Sequence, residues 1–245
     1  MAMPGDSDRL RVVLVGTRNP LNIGAAARAM SNFGFLRLRV VNPYDVAFRE
    51  ARSAVGAAPL LQDAEQFRSV AEAVADCTLV VGTTAVRHRE LQHPLRRLEY
   101  GARLICKELG GGRVALLFGP EKTGLSNDDL SHCHWLMNIP TREQHISMNL
   151  GQAVAVCLYE LARGGKKAAP ARSAAEKRAT AGEVQRISTV LLEALHLSGY
   201  IKPAAVTSTG ERVRRMVRRM NLSSKDAELW LGMLRQILWK MRVSA

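Results

Sequence analysis

The chain has 245 residues, which suits one large domain or a medium domain with a small one, and its 35 Lys and Arg against 22 Asp and Glu give a formal net charge of +13. Hydrophobic residues make up 47% and charged residues 23%, globular proportions that exclude wholesale disorder. The sequence has neither a run near the roughly 18 apolar residues of a membrane helix nor a signal-peptide core, and its four cysteines form no CxxC pair, so we expect a cytoplasmic protein without a membrane partner.

The first 160 residues alternate short apolar runs with helical patterns. The apolar runs predict strands at Arg11–Val15, Leu36–Val41, Leu79–Val81, Val114–Phe118 and Trp135–Ile139. The helical patterns predict helices at Asn22–Phe33, Ala64–Val74, Glu99–Leu109 and Asn149–Leu161. Because parallel strands need long crossover connections, this alternation predicts an α/β domain with a mostly parallel sheet and helices on both faces.

Three glycine-punctuated stretches follow predicted strands, at the carboxyl edge where open α/β sheets bind ligands. In the first, residues 16–28, Asn22 suits a helix cap and Arg28 lies one to two turns into the helix. A capped helix with a surface arginine explains this pattern as well as a binding site does. The stretch is neither a GxGxxG turn nor a Walker loop, so it does not indicate a phosphate cofactor.

The second and third stretches carry more polar side chains. In residues 118–129, Glu121 suits a general base or an acid paired with an arginine, and Ser126 with Asp129 predicts a capping box. In residues 139–151, Ser147 and Asn149 suit either helix N-capping or ligand binding. The adjacent residues of the Ser-His-Cys-His run at 131–134 converge poorly on a metal, so we expect none.

The last third of the chain carries most of the positive charge. Residues 1–162 hold 18 basic and 16 acidic side chains, whereas residues 163–245 hold 17 and 6. Residues 163–181 have the composition of a linker, and residues 182–245 predict three helices with an apolar inside. Arg212, Arg215 and Arg219 share one predicted outer face, which suits a polyanion or merely a solvated surface.

Taken together, the three stretches resemble the signature motifs of the TrmH-like ribose 2′-O-methyltransferases of the SPOUT superfamily. The matching segments are residues 22–28 (NIGAAAR), 117–126 (LFGPEKTGLS) and 147–151 (SMNLG). The similarity covers roughly residues 9–162, in order and in spacing. Within this superfamily, a domain of this size with a basic helical tail is most similar to the TrmJ group, which methylates the ribose of tRNA nucleotide 32.

The resemblance implies several properties of the protein. It implies a trefoil knot near the carboxyl side of the sheet, S-adenosylmethionine as methyl donor, a homodimer with its sites at the interface, and tRNA as substrate. Domains are expected at residues 1–162 for the methyltransferase and 182–245 for a tRNA-binding extension, with the linker between them. Methylation of ribosomal RNA or of another tRNA ribose, and a non-catalytic RNA-binding scaffold, remain alternatives.

The resemblance also assigns roles by position. The catalytic positions match Arg28, Asn22, Glu121, Ser147 and Asn149. The cofactor-binding positions match Thr83, Thr84, Ala85, Gly119, Ile139, Ile146, Ser147, Met148 and Leu150. For RNA binding we expect Arg28 together with the tail arginines Arg212, Arg215 and Arg219. Removal of the tail is expected to weaken RNA binding and to leave cofactor binding intact.

Overall fold

The computed structural model describes residues 7–43, 58–85, 92–142, 144, 147–164, 177–202 and 205–244. Within them, seven strands form one sheet: β1 Leu10–Val15, β2 Leu38–Val41, β3 Glu65–Phe67, β4 Leu79–Thr83, β5 Leu95–Arg97, β6 Val114–Phe118 and β7 Trp135–Asn138. All pairs are parallel, in the order β3-β2-β1-β6-β4-β7-β5. The carboxyl ends of β4, β6 and β7 are therefore neighbours, and the loops that follow them meet at one edge.

Nine helices accompany these strands in the described part of the chain. They are α1 Pro20–Phe33, α2 Ala58–Gln62, α3 Val70–Ala73, α4 Leu98–Leu109, α5 Asn127–Ser131, α6 Leu150–Gly164, α7 Ala181–Leu197, α8 Val206–Arg219 and α9 Ser224–Ser244. Helices α1, α4 and α6 cover one face of the sheet, while α3, α5 and the start of α7 cover the other. None of the described helices is long and apolar enough to cross a membrane.

Successive side chains of β1 point to opposite faces of the sheet, and this explains why the central strands are continuously apolar. Val12 and Leu14 point into the core under α1 and α6, whereas Val13 and Val15 point into the core on the opposite face. All four side chains are buried because both faces are covered. The predicted α/β class, with a mostly parallel sheet, two helical layers and a helical extension, is confirmed. The knot stays a prediction of the resemblance.

Two edge strands are missing from the sequence prediction. The prediction of a helix over 64–74 is wrong in its first half, because residues Glu65–Phe67 form β3 and the helix begins only after its cap, Ser69. Strand β5 is equally short. Strands of three residues at a sheet edge show too little alternation for a periodicity to be recognised.

The tail helices α7, α8 and α9 enclose a small core of their own, and they are also docked on the sheet domain. The backbone amides of Ala181 and Gly182 donate to the carbonyls of Cys77 and Ala75, at 2.7 and 2.9 Å. Much of the predicted linker, residues 165–176, lies outside the described residues. Its last residues are packed, since Ala179 is buried and its amide donates to the carbonyl of Leu222.

The predicted arginine face of α8 needs a correction. Arg212 and Arg219 are exposed, but Arg215 is buried and pairs with Glu211 at 3.5 Å. Helix α8 packs against both α7 and α5, so its polar residues cannot all face solvent. The expectation of three arginines on one solvated face is therefore wrong for Arg215.

Candidate active site

A cavity of about 210 Å³ opens where the loops after β4, β6 and β7 meet. Its walls include most of the positions to which the resemblance assigns roles: Thr83, Thr84, Ala85, Gly119, Glu121, Ile139, Ser147, Met148 and Leu150. The three loops are distant in sequence, and the parallel sheet brings them together because β4 pairs with both β6 and β7. Two of the three glycine-punctuated stretches, 118–129 and 139–151, thus contribute to the cavity, whereas no residue of 16–28 lines it. One predicted position, Ile146, lies outside the described residues.

Hydrogen bonds to the neighbouring strands hold the loop that follows β4. The Thr83 hydroxyl donates to the carbonyl of Leu117 at 2.8 Å, and the Thr84 amide donates to the carbonyl of Met137 at 3.0 Å. Asn138 donates its side-chain amide to the Thr84 carbonyl at 3.3 Å. The loop after β4 is thus tied to both adjacent strands, β6 and β7, which leaves its side chains in a defined orientation toward the cavity.

The loop that follows β6, called the second loop here, turns so tightly that its first residue, Gly119, has no room for a side chain. A Cβ on Gly119 would lie 2.3 Å from the backbone nitrogen of Leu125 and 2.4 Å from the carbonyl carbon of Gly124. The Gly124 amide donates to the Pro120 carbonyl at 2.8 Å, and Gly124 itself has a φ of +67°. These two glycines let the chain fold back on itself and form a rigid wall of the cavity.

A chain of side-chain hydrogen bonds ends at Glu121, which lines the cavity. Asn149 Nδ2 donates to Asn22 Oδ1 at 2.7 Å, and Asn22 Nδ2 donates to Glu121 Oε1 at 2.7 Å. The sequence prediction that Asn22 caps α1 is wrong, because the cap is Asn19, whose side chain accepts from the Leu21 amide. Asn22 lies one turn further along α1, where it links the first and second stretches.

Helix α6 comes close to α1 at Gly151, and this contact makes the asparagine bond possible. A Cβ on Gly151 would lie 2.5 Å from the Cβ of Ala25. Asn149 caps α6, since its Oδ1 accepts from the backbone amide of Gly151 at 2.9 Å. Small residues at the crossing therefore bring the start of α6 within hydrogen-bonding distance of Asn22 on α1.

Arg28 takes a different position from the other predicted catalytic residues. It lies on the exposed surface of α1, does not line the cavity, and has no hydrogen-bond partner among the described residues. The predicted RNA-binding residues Arg212, Arg215 and Arg219 also lie away from the cavity walls, on α8. The structure thus brings together the cofactor positions and one hydrogen-bonded polar chain, whereas the four arginines do not line the cavity.

Several cavity residues escaped the sequence reasoning. Leu130 on α5 and Met137 on β7 contribute apolar wall, and Lys122 and Thr123 extend the second loop along the rim. Lys122 and Thr123 lie within the second motif, residues 117–126, so the motif could have indicated that they line the site. Leu130 and Met137 carried no such signal, because only the packing of α5 and β7 brings them to the cavity.

The Ser-His-Cys-His run at residues 131–134, from which we expected no metal site, is part of the core. Burial lowers the pKa of His132 and of His134 to about 3, and for both rings the charge of Arg218 adds to this effect. Cys133 is buried between them, and burial raises the pKa of its thiol to about 12. Among the described residues, no three His, Cys, Asp or Glu side chains are grouped so that they could hold a metal ion.

Comparison with known proteins identifies relatives for nearly the whole chain. A model of the SpoU rRNA methylase family matches residues 9–159. A protein of Sodalis glossinidius named tRNA (cytidine/uridine-2′-O-)-methyltransferase TrmJ is 34% identical over 234 residues, which cover 93% of this chain and 91% of the relative. A protein of Pseudomonas aeruginosa named tRNA (cytidine/uridine/adenosine-2′-O-)-methyltransferase TrmJ is also 34% identical, over 93% of each chain.

Solved structures give the same result. The crystal structure of TrmJ from Z. mobilis ZM4 superposes with a TM-score of 0.81 at 33% sequence identity, covering 93% of this chain and 98% of that one. A putative methylase family protein from Neisseria gonorrhoeae superposes with a TM-score of 0.67 at 30% identity, over 77% of this chain. The similarity to the Z. mobilis protein includes the helical tail as well as the sheet domain.

Proposed function

The chain belongs to the SpoU methylase family, and on that premise we propose that it transfers the methyl group of S-adenosylmethionine to a ribose 2′-hydroxyl of tRNA. The single observation that carries this proposal is the cavity where the loops after β4, β6 and β7 converge, with a hydrogen-bonded polar chain that ends at Glu121 in its wall. The relatives that are named as tRNA methyltransferases support the choice of substrate.

The cavity has the chemistry that this methyl donor needs. Leu125, Ile139 and Leu150 provide apolar wall for a nucleoside, and Glu121, Thr141 and Ser147 add polar residues to the same lining. The second loop lacks the GK[ST] ending of a phosphate loop, which fits a ligand without phosphates. When bound, S-adenosylmethionine supplies an electrophilic methyl group on a sulfonium.

Nine residues form the cofactor-binding set that we propose. We assign it to the loop after β4 (Thr83, Thr84, Ala85), to Gly119, and to the third stretch (Ile139, Ile146, Ser147, Met148, Leu150). Eight of these nine residues line the cavity, and the ninth is Ile146. Neither a metal nor a covalent intermediate is needed for a displacement of this kind.

The chain's own residues then have to align the ribose and assist the loss of its proton. Alignment alone supplies up to roughly 7–11 kcal/mol in well-oriented systems. Glu121 and Ser147 provide polar groups in the cavity wall, and Asn22 and Asn149 are joined to Glu121 by hydrogen bonds. Their geometry is therefore preorganised before the substrate arrives.

Arg28 is the residue we assign to the substrate's charged groups. A guanidinium has a pKa above about 12 and makes a poor base, but its planar fork binds a phosphate with two parallel hydrogen bonds. In this assignment Arg28 holds an RNA phosphate and stabilises the developing alkoxide, while a phosphate oxygen or a cofactor oxygen takes the proton. Its exposed, unpaired position within the described part of the chain leaves the fork available.

A homodimer explains how Arg28 reaches a substrate although it does not line the cavity. Helices α1 and α6 are adjacent and carry exposed apolar side chains: Leu21 on α1, and Val156 and Tyr159 on α6. Arg28 lies on α1 as well. Pairing of this surface with a second copy would bury these side chains and place Arg28 at the subunit boundary. Sedimentation of the wild type and of Tyr159→Glu tests this, and a wild-type monomer would refute it.

Nucleotide 32 of the anticodon loop is the target we propose, with C and U accepted, in the cytoplasm where tRNA is modified. The names of the relatives support cytidine and uridine, and one of them adds adenosine, whereas position 32 rests on the resemblance to the TrmJ group. The basic tail adds a sequence-independent attraction for tRNA phosphates. We also expect the trefoil knot of the superfamily in this sheet.

One experiment tests the proposal directly. The protein is incubated with methyl-labelled S-adenosylmethionine and either unmodified total tRNA or ribosomal RNA, and the labelled nucleotide is then mapped by nuclease digestion. Label at ribose 32 of tRNA is the expected result. Label in ribosomal RNA or at another tRNA ribose would refute the target, and RNA binding without any label would indicate a non-catalytic scaffold.

A further inference from the structure

Helix α8 carries five arginines, and the structure divides them between two sides. Arg212 and Arg219 face solvent. The other three are largely shielded: 16% of the Arg214 side chain and 9% of the Arg215 side chain are exposed, and Arg218 as a residue is 2% exposed. A helix used only to attract RNA would gain nothing from shielding three of its charges, since burial of a guanidinium is costly.

Arg214 contacts both ends of the short helix α5. Its Nε donates to Ser131 Oγ at 2.8 Å, and its Nη2 donates to the carboxylate of Asp128. The Ser131 hydroxyl donates in turn to the backbone carbonyl of Asp128 at 2.6 Å, and Ser131 is fully buried. One guanidinium from the tail therefore connects the first turn of α5 with its last residue.

Helix α5 is continuous with the cavity wall. It begins at the Ser126 cap, directly after the second loop, and the capping box between Ser126 and Asp129 fixes that junction. Leu125 and Leu130 flank this junction, are both buried, and both line the cavity. A shift of α5 would therefore move two wall residues at once.

The short length of α5 makes an external support necessary. A helix of five residues gains too few backbone hydrogen bonds to be stable alone, so its position depends on tertiary contacts. Helix α8 is one of the elements that pack on it. Arg214 supplies charge-assisted hydrogen bonds, which are directional and so define where α5 lies, unlike apolar contacts alone.

We infer that tail helix α8 supports the cofactor cavity, with Arg214 acting through Asp128 and Ser131 as a positioning residue for the wall formed by Leu125 and Leu130. This inference rests on the proposed function for the identity of the ligand. It differs from the sequence-based expectation that the tail serves RNA and is dispensable for the cofactor. It also assigns one of the shielded α8 arginines to the cofactor cavity.

The test uses the full chain and measures the Kd for S-adenosylmethionine by titration calorimetry without RNA. Arg214→Ala is expected to weaken binding about fivefold or more, and Arg214→Lys is expected to lie between it and the wild type, since Lys keeps the charge but loses the bond to Ser131. Asp128→Asn should also raise the Kd, and because this side chain is 64% exposed, the change does not endanger folding. Arg235→Ala, an exposed tail arginine, is the matched control and should bind normally.

Two further readouts separate positioning from a general loss of structure. The KM for S-adenosylmethionine should rise while the KM for tRNA and kcat at saturation stay near wild type. In hydrogen exchange without any ligand, the amide of Leu130, which donates to the Ser126 carbonyl at 2.9 Å, should exchange faster in Arg214→Ala. Arg214→Ala combined with Asp128→Asn should be no worse than Arg214→Ala alone, because Arg214→Ala already removes the contact with Asp128.

The outcomes distinguish this inference from the proposed function. A wild-type protein that does not bind S-adenosylmethionine overturns the proposed function and the cofactor role assigned to Arg214 with it. Normal wild-type binding, with unchanged Kd and unchanged Leu130 exchange in both Arg214→Ala and Asp128→Asn, overturns the inference alone. An equal loss in Arg235→Ala would also overturn it, by showing a general effect of tail charge.

Discussion

Asn149 donates its side-chain amide to the side-chain oxygen of Asn22 at 2.7 Å, across 127 residues of sequence. The direction of this bond is determined by its surroundings, because Asn149 Oδ1 already accepts from the Gly151 amide and Asn22 Nδ2 already donates to Glu121. Rotation of either amide by 180° would bring like atoms together. The two residues thus form a relay that holds the Glu121 carboxylate in the wall of the cavity.

The relay predicts a specific effect of Asn22→Asp. This change keeps the shape of the side chain but places a second carboxylate against Glu121, so the carboxylate should move away. We expect kcat to fall about tenfold or more while the Kd for S-adenosylmethionine stays near wild type. Single-turnover methyl transfer measures this. Asn19→Ala, which removes the cap of α1, should cost about 1 kcal/mol of stability and leave turnover intact; equal turnover in both variants contradicts the relay.

Arg28→Lys tests whether the guanidinium fork matters beyond its charge. Lys keeps the positive charge but cannot hold a phosphate with two parallel hydrogen bonds, so we expect kcat/KM for tRNA to fall about tenfold or more. Steady-state kinetics with unmodified tRNA measures it. Arg18→Lys, on another exposed arginine of the same chain segment, is the control with near-normal kinetics. Full turnover in Arg28→Lys would show that charge alone suffices.

The contact between α1 and α6 predicts a pair of compensating substitutions. Gly151→Ala would place its Cβ 2.5 Å from that of Ala25, so the helices must separate and the bond between Asn22 and Asn149 should weaken. Overpacking of this kind costs about 1–3 kcal/mol. Adding Ala25→Gly removes the opposing methyl group and should restore most of the stability in urea unfolding, together with turnover. A double variant no better than Gly151→Ala would refute this explanation.

The tail arginines should differ in their effect on the salt dependence of tRNA binding. Arg212→Ala and Arg219→Ala remove exposed charges, so each should flatten the plot of log Kd against log salt by up to roughly one unit. Arg215→Ala should leave the slope unchanged and instead destabilise the fold by about 2–4 kcal/mol, because Glu211 loses its partner in a shielded position. Filter binding and urea unfolding measure the two effects. Equal slopes for all three variants would contradict the division of the arginines.

Stability should fall as the pH is lowered below 6.5. Burial, with the charge of Arg218, lowers the pKa of His132 and His134 to about 3 in the folded protein, while the unfolded rings keep a pKa near 6.5. Between these values the unfolded chain binds more protons, so stability is complete above pH 6.5 and is lost progressively below it, by about 1.4 kcal/mol per histidine at pH 5.5.

Urea unfolding at pH 7.5 and 5.5 checks this, with His132→Gln as the variant that should show a smaller change. Carboxylates do not produce the effect in this range. Burial raises the pKa of Asp76, but the hydrogen bond and charge of Arg39 outweigh it and keep that pKa below 3.8, so Asp76 loses stabilisation only in stronger acid. A midpoint that does not change between the two pH values would show that neither histidine is held neutral.

Local patterns were sufficient for the central part of the fold. The five strands predicted from apolar runs are all present, and the capping box of Ser126 and Asp129 forms as predicted. These features depend on residues a few positions apart, so the sequence carries them directly. Of the three motifs that carry the resemblance, the second and third line one cavity, and the first contacts it through the bond between Asn22 and Glu121.

Other features required the tertiary structure. The partner of Asn22 is Glu121 rather than its own helix terminus, Arg215 is buried rather than solvated, and Leu130 reaches the cavity through α5. By itself, the sequence determined the parallel α/β core and the order of its polar loops, because periodicity and caps are local. Which side chains lie across from one another was decided only by the packing of distant elements, since a contact such as Arg214 with Ser131 joins segments 83 residues apart.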